Sequence, residues 1–292
     1  MNQQNPCDLS YTQVAGGSSP SPPISFLPMS PELPPLTHEL TRRLERRVAP
    51  HPTDPSGPAY PGEPYVVRFG STLASRSTSS RPVDKVYCFS AEDLPRLDEI
   101  LAFYAEENRT PWFYLSPAGF TPEVAAALTA RGFAQREFQQ AILYGLPRTE
   151  APLLPEGLSL ERVTGQNLDA YVTTLADGFE WPAAWRTAAM ADCRRSFHPG
   201  AAWYLARWEG EPAGCAAVTS WAGIASLAGS AVVPRFRRRG CQTALIQWRL
   251  YLATRMNCDL VTGGADFGSA SFRNQQRAGL RLAYVESGWT RP

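Results

Sequence analysis

The sequence predicts an α/β protein built as two consecutive domains, and three observations carry that prediction. The chain has 292 residues, near the size at which single hydrophobic cores stop growing and chains divide. Strand-like and helix-like patterns alternate in both halves. Between the halves, Ala151 to Gly157 holds Pro152 and Pro155 and reads as a linker. The expected division is a tail over 1–35, a first domain over 36–150 and a second over 155–292.

The first 35 residues are rich in Pro, Ser, Gly and Gln, centred on Ser18-Ser19-Pro20-Ser21-Pro22-Pro23. They have little to bury, so they are expected to be disordered or laid along a surface. Thr37 can cap a short helix to Arg47, with Leu40, Leu44 and Val48 at helical spacing. His51 to Pro64, broken by five prolines and two glycines, reads as a loop. Val66–Phe69 and Val86–Phe89 have strand character. Ser90 caps an expected helix through Tyr104, with Leu97, Ile100, Leu101 and Tyr104 on one face. Trp112–Leu115 is a short apolar strand. Pro122–Ala130 is a helix with proline in its first turn and Gly132 as its stop. Phe133–Leu146 returns as a strand or hairpin arm.

In the second half, Leu158–Val163 reads as a strand and Thr164 caps a helix from Gly165 to Leu175. A further helix starts near Pro182 and carries Trp185, Ala189 and Cys193. Trp203–Trp208 and Ala213–Thr219 form a hairpin around Glu209-Gly210-Glu211-Pro212. Ile224–Val233 is a strand with Gly229 inside it, which argues for a bulge or a close backbone approach. The helix after Gly240 places Leu245, Trp248, Leu252 and Met256 on one face and ends at Asn257. Leu260–Gly263, a short helix Ser271–Ala278 stopped by Gly279, and a strand Arg281–Glu286 that closes the sheet complete the chain.

Composition narrows the functional classes. Hydrophobic residues make up 43% of the chain and mean hydropathy is −0.27, as expected of a soluble globular protein. A net charge of +1 gives no global field for nucleic acid or a membrane surface. No apolar run approaches the roughly 20 residues of a membrane span, and Met1 to Ser10 has neither the basic nor the apolar region of a signal peptide. The six cysteines lack C-x-x-C spacing and the three histidines form no ligand cluster, so reduced thiols, a cytoplasmic location and no metal are expected.

The basic charge is local. Pro234-Arg235-Phe236-Arg237-Arg238-Arg239-Gly240-Cys241-Gln242-Thr243 joins an apolar strand to an amphipathic helix. A helix start offers unpaired backbone N–H groups and a positive dipole end. Gly240 lets the backbone approach a phosphate, and arginines add forked donors. The segment therefore reads as a polyphosphate site. The strand, Arg237-Arg238-Arg239-Gly240-Cys241-Gln242 and the helix resemble the Arg/Gln-x-x-Gly-x-Gly/Ala signature of GNAT N-acetyltransferases. Ser271 to Leu280 is similar to the downstream short helix and "Gly-Phe" ending, here Gly279-Leu280, and the order of elements from Leu158 to Arg291 matches. Gln242 replaces a small residue of the signature. Leu128 to Gln135 looks like the same helix ending without a basic glycine turn.

The resemblance implies a mixed, mostly antiparallel twisted sheet flanked by helices, with two such domains in tandem and the first degenerate. It implies acetyl-CoA or another acyl-CoA as co-substrate and direct acyl transfer to a primary amine, with a small molecule preferred. A homodimer is compatible with it. Backbone groups of Ala231, Val232 and Val233 would hold the pantetheine arm. Arg237, Arg238, Arg239, Gly240, Cys241, Gln242 and Thr243 would hold the diphosphate, and Asn274 the arm or its alcohol end. The general base expected first is Glu180, with Asp177 second. Many relatives carry a Tyr acid where this chain has Gln275, which leaves Ser269, Ser271 and Tyr284 as candidate hydroxyls. Phe179, Trp181, Trp185 and Trp221 could wall an acceptor pocket or be plain core. Cys241, at a helix start beside arginines, is expected to have a lowered thiol pKa. The alternative is a catalytically silent acyl-CoA sensor or scaffold.

Overall fold

A computed structural model describes residues 32–46, 65–76, 84–138, 140–195, 197 and 201–292. The centre of the expected tail, the proline-rich loop at 51–64, Arg47, Val48 and His198 lie outside these residues. The described chain forms two mixed sheets with helices on their faces. In chain order the first half contains α1 (His38–Glu45), β1 (Tyr65–Phe69), β2 (Thr72–Arg76), β3 (Lys85–Tyr87), α2 (Leu97–Ala105), β4 (Trp112–Leu115), α3 (Pro122–Ala130), β5 (Ala134–Glu137) and β6 (Gln140–Gly145). The second half contains β7 (Leu158–Arg162), α4 (Leu168–Gly178), α5 (Ala183–Arg195), β8 (Ala201–Trp208), β9 (Glu211–Trp221), β10 (Ile224–Val232), α6 (Cys241–Arg255), β11 (Leu260–Asp266), α7 (Ala270–Arg277), β12 (Arg281–Val285) and β13 (Ser287–Thr290).

Local sequence sets most of these elements. Thr37, Thr121 and Ser269 accept hydrogen bonds from the first-turn N–H groups of α1, α3 and α7. Two expected helices begin later than their capping residues suggest. Pro95 lies inside a 3₁₀ turn, Ala91–Arg96, that precedes α2. Ahead of α4, Thr164 is tied into a turn in which its N–H donates to Asn167 Oδ1 at 2.7 Å. β2 was not expected; it is a short, largely buried strand without clear alternation.

The strand order cuts across the boundary expected near residue 150. One sheet runs β1-β2-β3-β4-β13-β5 and the other β12-β6-β11-β10-β9-β8-β7. β6 thus leaves the first half to pair antiparallel with β11 and β12. β13 returns from the C-terminus to pair antiparallel with β4 and β5. The divisions 36–150 and 155–292 therefore exchange one strand each, and Arg281–Glu286 is followed by a further strand that the sequence reading lacked. Apart from the edge strand β7, the two sheets repeat one plan. β3 pairs parallel with β4, as β10 does with β11. A helix links each of these strands to an outer strand, and the exchanged strand is inserted between the two.

Buried residues form separate cores on these layers. Phe89, Phe113, Phe133 and Trp289 pack in the first sheet with α2 and α3. Leu245, Trp248, Leu252 and Phe272 lie between the second sheet and α6 and α7. α1 clips the halves together. Leu40 and Leu44 pack with Ile142, Ile224, Leu260 and Tyr284. Arg42 donates to Ser71 Oγ and the Cys88 carbonyl in the first half. Leu33 joins the same cluster and the Pro34 carbonyl accepts from Tyr144 at 3.0 Å, so the expected tail is anchored at its end.

Arg43 makes a forked pair with Asp259 at 2.5 and 2.8 Å. This hydrogen bonding holds the Asp259 carboxyl below the usual carboxylate range. A carboxyl with a lowered folded pKa stabilises the fold above its unfolded value, and that contribution is lost as pH falls through the folded value. Unfolding midpoints of Arg43→Ala and wild type should therefore differ by a constant amount above about pH 5 and converge below about pH 4. A gap that persists undiminished to pH 2 would remove this pair as a source of acid lability.

Candidate functional site

β10 and β11 pair only from Ile224↔Leu260 to Leu227↔Gly263 and then part. β10 continues along β9 to Val232, while Gly264 to Asp266 of β11 pair with β6. Among the described residues, the β10 backbone beyond Leu227 therefore has no strand partner on its β11 side. The expected irregularity near Gly229 is present: the register with β9 shifts between Ala228 and Ala231, and Gly229 takes φ +47°. Two buried side chains hold it. Tyr171 of α4 donates to the Gly229 carbonyl at 3.1 Å. Arg249 of α6 donates to the Ala228 and Ala217 carbonyls, each at 3.3 Å. Burial pushes the Tyr171 pKa up, which keeps it a donor, and pushes that of Arg249 down to about 10, which leaves it charged at neutral pH.

After β10 the chain makes a 3₁₀ turn at Pro234–Phe236. Arg238 then adopts φ +64° and Gly240 φ +83°, and Gly240 is the N-cap of α6. The first helical bond is from Ala244 N–H to the Gly240 carbonyl. The N–H groups of Cys241, Gln242 and Thr243 thus have no acceptor within the helix, and the N-cap, a glycine, has no side chain to cap them. Alternating backbone signs before a helix start form a concave cluster of donors suited to an anion. These groups face a cavity of about 820 Å³ between the end of β10, the start of α6 and α7. Gly178 lets α4 close one side, since a Cβ there would collide with Ala231.

Most of the expected donor-binding residues line this cavity: Ala231, Val232, Arg237, Arg238 and Gly240 toward β10, and Cys241, Gln242, Thr243 and Asn274 toward the helices. Asn274 donates to Gln242 Oε1 and accepts from Arg277 at 2.6 Å, so the unusual Gln242 ties α6 to α7 across the mouth. Two residues do not contribute as expected. The Val233 N–H is taken by the Ala213 carbonyl at 2.9 Å, and the Arg239 guanidinium lies over Trp208 at 5.4 Å.

The catalytic assignments fare differently. Glu180 is ion-paired with Arg237 at 2.7 Å, and Arg237 also bonds the Gly178 carbonyl. This pair lies beside Val232, five residues from the point where the strands part, about 16 Å at the rise of a strand. Glu180 is thus committed to a cation and far from the point where the strands part, which does not suit a free base there. Asp177 is paired with Arg186 at 2.5 Å. Tyr284 is 4% exposed and packed with Leu40 and Ile142 under α1, so it is not a hydroxyl of this cavity. Ser269 is the α7 cap; Ser271 lines the cavity. Burial pushes the Cys241 thiol up, not down, because desolvation outweighs the helix start and Arg239. Phe179 lines the cavity and stacks on Trp181, with centroids 5.9 Å apart.

Residues 170–271 match the family model described as the Acetyltransferase (GNAT) family. This part of the chain is a GNAT domain. Solved structures with the same fold include a GCN5-related N-acetyltransferase from Kribbella flavida, 19% identical, with a TM-score of 0.61 over 79% of this chain and 90% of that one. Another, from Sphaerobacter thermophilus, is 18% identical, with a TM-score of 0.54 over 76% and 77%. A tandem GNAT protein from the clavulanic acid biosynthesis pathway is 17% identical, with a TM-score of 0.55 over 80% and 83%. At these identities the likeness is one of fold. No curated protein sequence matches the chain. The GNAT domain is an N-acetyltransferase domain, a class that uses acyl-CoA as co-substrate. Among the described residues no helix is long and apolar enough to cross a membrane.

Proposed function

We propose that the chain transfers an acetyl or other acyl group from acyl-CoA to a primary amine of a small molecule, using the second domain alone. The observation that carries this reading is the uncapped start of α6 behind left-handed Gly240, facing the cavity where β10 leaves β11. Arg238 and the first N–H groups of α6 receive the diphosphate. The unpaired edge of β10 receives the arm.

The first domain we read as a second GNAT-like unit without donor binding. The repeated strand plan supports the tandem reading. At the position matching the α6 turn the first half has no glycine, and it carries Glu92 and Asp93 in the 3₁₀ turn and Asp98 and Glu99 at the start of α2. Carboxylates there repel phosphates. Asp93 is also occupied, accepting from Thr72 Oγ1 at 2.7 Å. Five cysteines without disulfides, Cys88, Cys193, Cys215, Cys241 and Cys258, suit the cytoplasm.

A screen of small amines with acetyl-CoA, read by release of the coenzyme A thiol, tests the enzyme reading. Amine-dependent release should exceed the amine-free rate by at least about a hundredfold, the contribution expected of positioning alone. Tight acetyl-CoA binding with no release for any amine would favour the silent sensor. That second reading draws on Gln275, which puts no ionisable group at the usual acid position.

A further inference from the structure

Gln275 of α7 reaches the point where β10 and β11 part. It is 5% exposed. Its Nε2 donates to the Gly264 carbonyl at 3.3 Å and to Ser271 Oγ at 3.4 Å, which uses both amide hydrogens. The Gly264 carbonyl requires a donor, so the amide orientation is fixed by its surroundings. Oε1 then lies against Gly263, the last residue of β11 that pairs with β10, where a Cβ would overlap it. It has no hydrogen-bond partner among the described residues. A buried amide oxygen left unpaired is unfavourable, so a donor arriving with a ligand is favoured there.

We propose that Gln275 is the binding residue for the thioester end of the acyl donor, with Oε1 accepting from the amide N–H of the arm nearest the sulfur. This rests on the acyl-CoA reading of the cavity. An arm laid along the free edge of β10 from the start of α6 ends at Leu227 and Gly263, beside this oxygen. Gln275 thereby replaces proton donation with positioning. In the transfer, the acceptor nitrogen bonds to the carbonyl carbon and the carbon–sulfur bond breaks. The electron pair leaves on sulfur as the thiolate, and the amine's surplus proton passes to water. No proton travels through residue 275.

Titration calorimetry of the full chain with acetyl-CoA and with 3′,5′-ADP, which carries phosphates but no arm, tests this. Gln275→Met should weaken acetyl-CoA about tenfold and leave 3′,5′-ADP within about twofold. Undiminished acetyl-CoA affinity in that variant overturns the proposal. Failure of the wild-type chain to bind either ligand removes the acyl-CoA reading instead. If the methionine variant loses both ligands, Gln275→Glu decides. Its carboxyl keeps an acceptor for the arm's N–H in either protonation state, so acetyl-CoA should bind it about tenfold more tightly than it binds the methionine variant. Affinity no better than that of the methionine variant would overturn the hydrogen bond.

Discussion

Gly240→Asp is expected to weaken acetyl-CoA binding by about a hundredfold or more while the chain remains folded. The loss comes from charge. The new carboxylate would stand at the start of α6, compete for the N–H groups of Cys241 to Thr243 and repel a phosphate, and a hundredfold loss corresponds to about 3 kcal/mol. Gly240 also holds φ +83° and ψ −6°, a left-handed conformation that costs an L side chain about 1–2 kcal/mol of stability, with or without ligand. Aspartate is itself a favourable N-cap, so α6 keeps its start and binding falls without unfolding. The check is a coenzyme A titration beside a denaturation curve. An unchanged dissociation constant with an unchanged midpoint would mean that the diphosphate does not bind here.

Arg249→Leu is expected to be the more severe change for the fold. Arg249 is 3% exposed and satisfies the carbonyls of Leu245, Ala217 and Ala228. The last two belong to β9 and β10, where the register shift interrupts their ladder. Leucine fills much of the volume but leaves those carbonyls buried without donors, at about 1–3 kcal/mol each where no other donor reaches them. We expect a loss of about 3 kcal/mol, read as a lower guanidinium midpoint. Acetyl-CoA affinity should also fall, because the bulge that frees the β10 edge loses one of its two supports. A variant within about 0.5 kcal/mol of wild type would show that the bulge is held by Tyr171 and the ladder alone.

The parts legible in the sequence share a short range. The basic turn, Gly240 and the helix behind it occupy one stretch, and the resemblance it carries matches the fold and the family of the second half. Thr37 caps α1 as expected because it acts within three residues, whereas Ser90 and Thr164 do not cap their helices. Gly229 flagged a bulge because its missing side chain has few other uses inside a strand. The catalytic residues were a different matter. Glu180 was expected as the base, but its partner Arg237 is 57 residues away. Tyr284 had a suitable hydroxyl, but strand alternation turned it toward α1. Arg249 was not singled out in the sequence, where nothing nearby shows two strand carbonyls waiting for it.

The sequence by itself determined the basic turn, its glycine and the helix start behind it, because helix start and local charge are properties of a few consecutive residues. It also determined that β6 is a strand, whereas β13 emerged only in the structure. Which sheet each joins was decided only by the tertiary structure. Alternation tells a strand which face to bury, but partners are chosen by packing across the whole chain, and here each half is completed by the other's last strand.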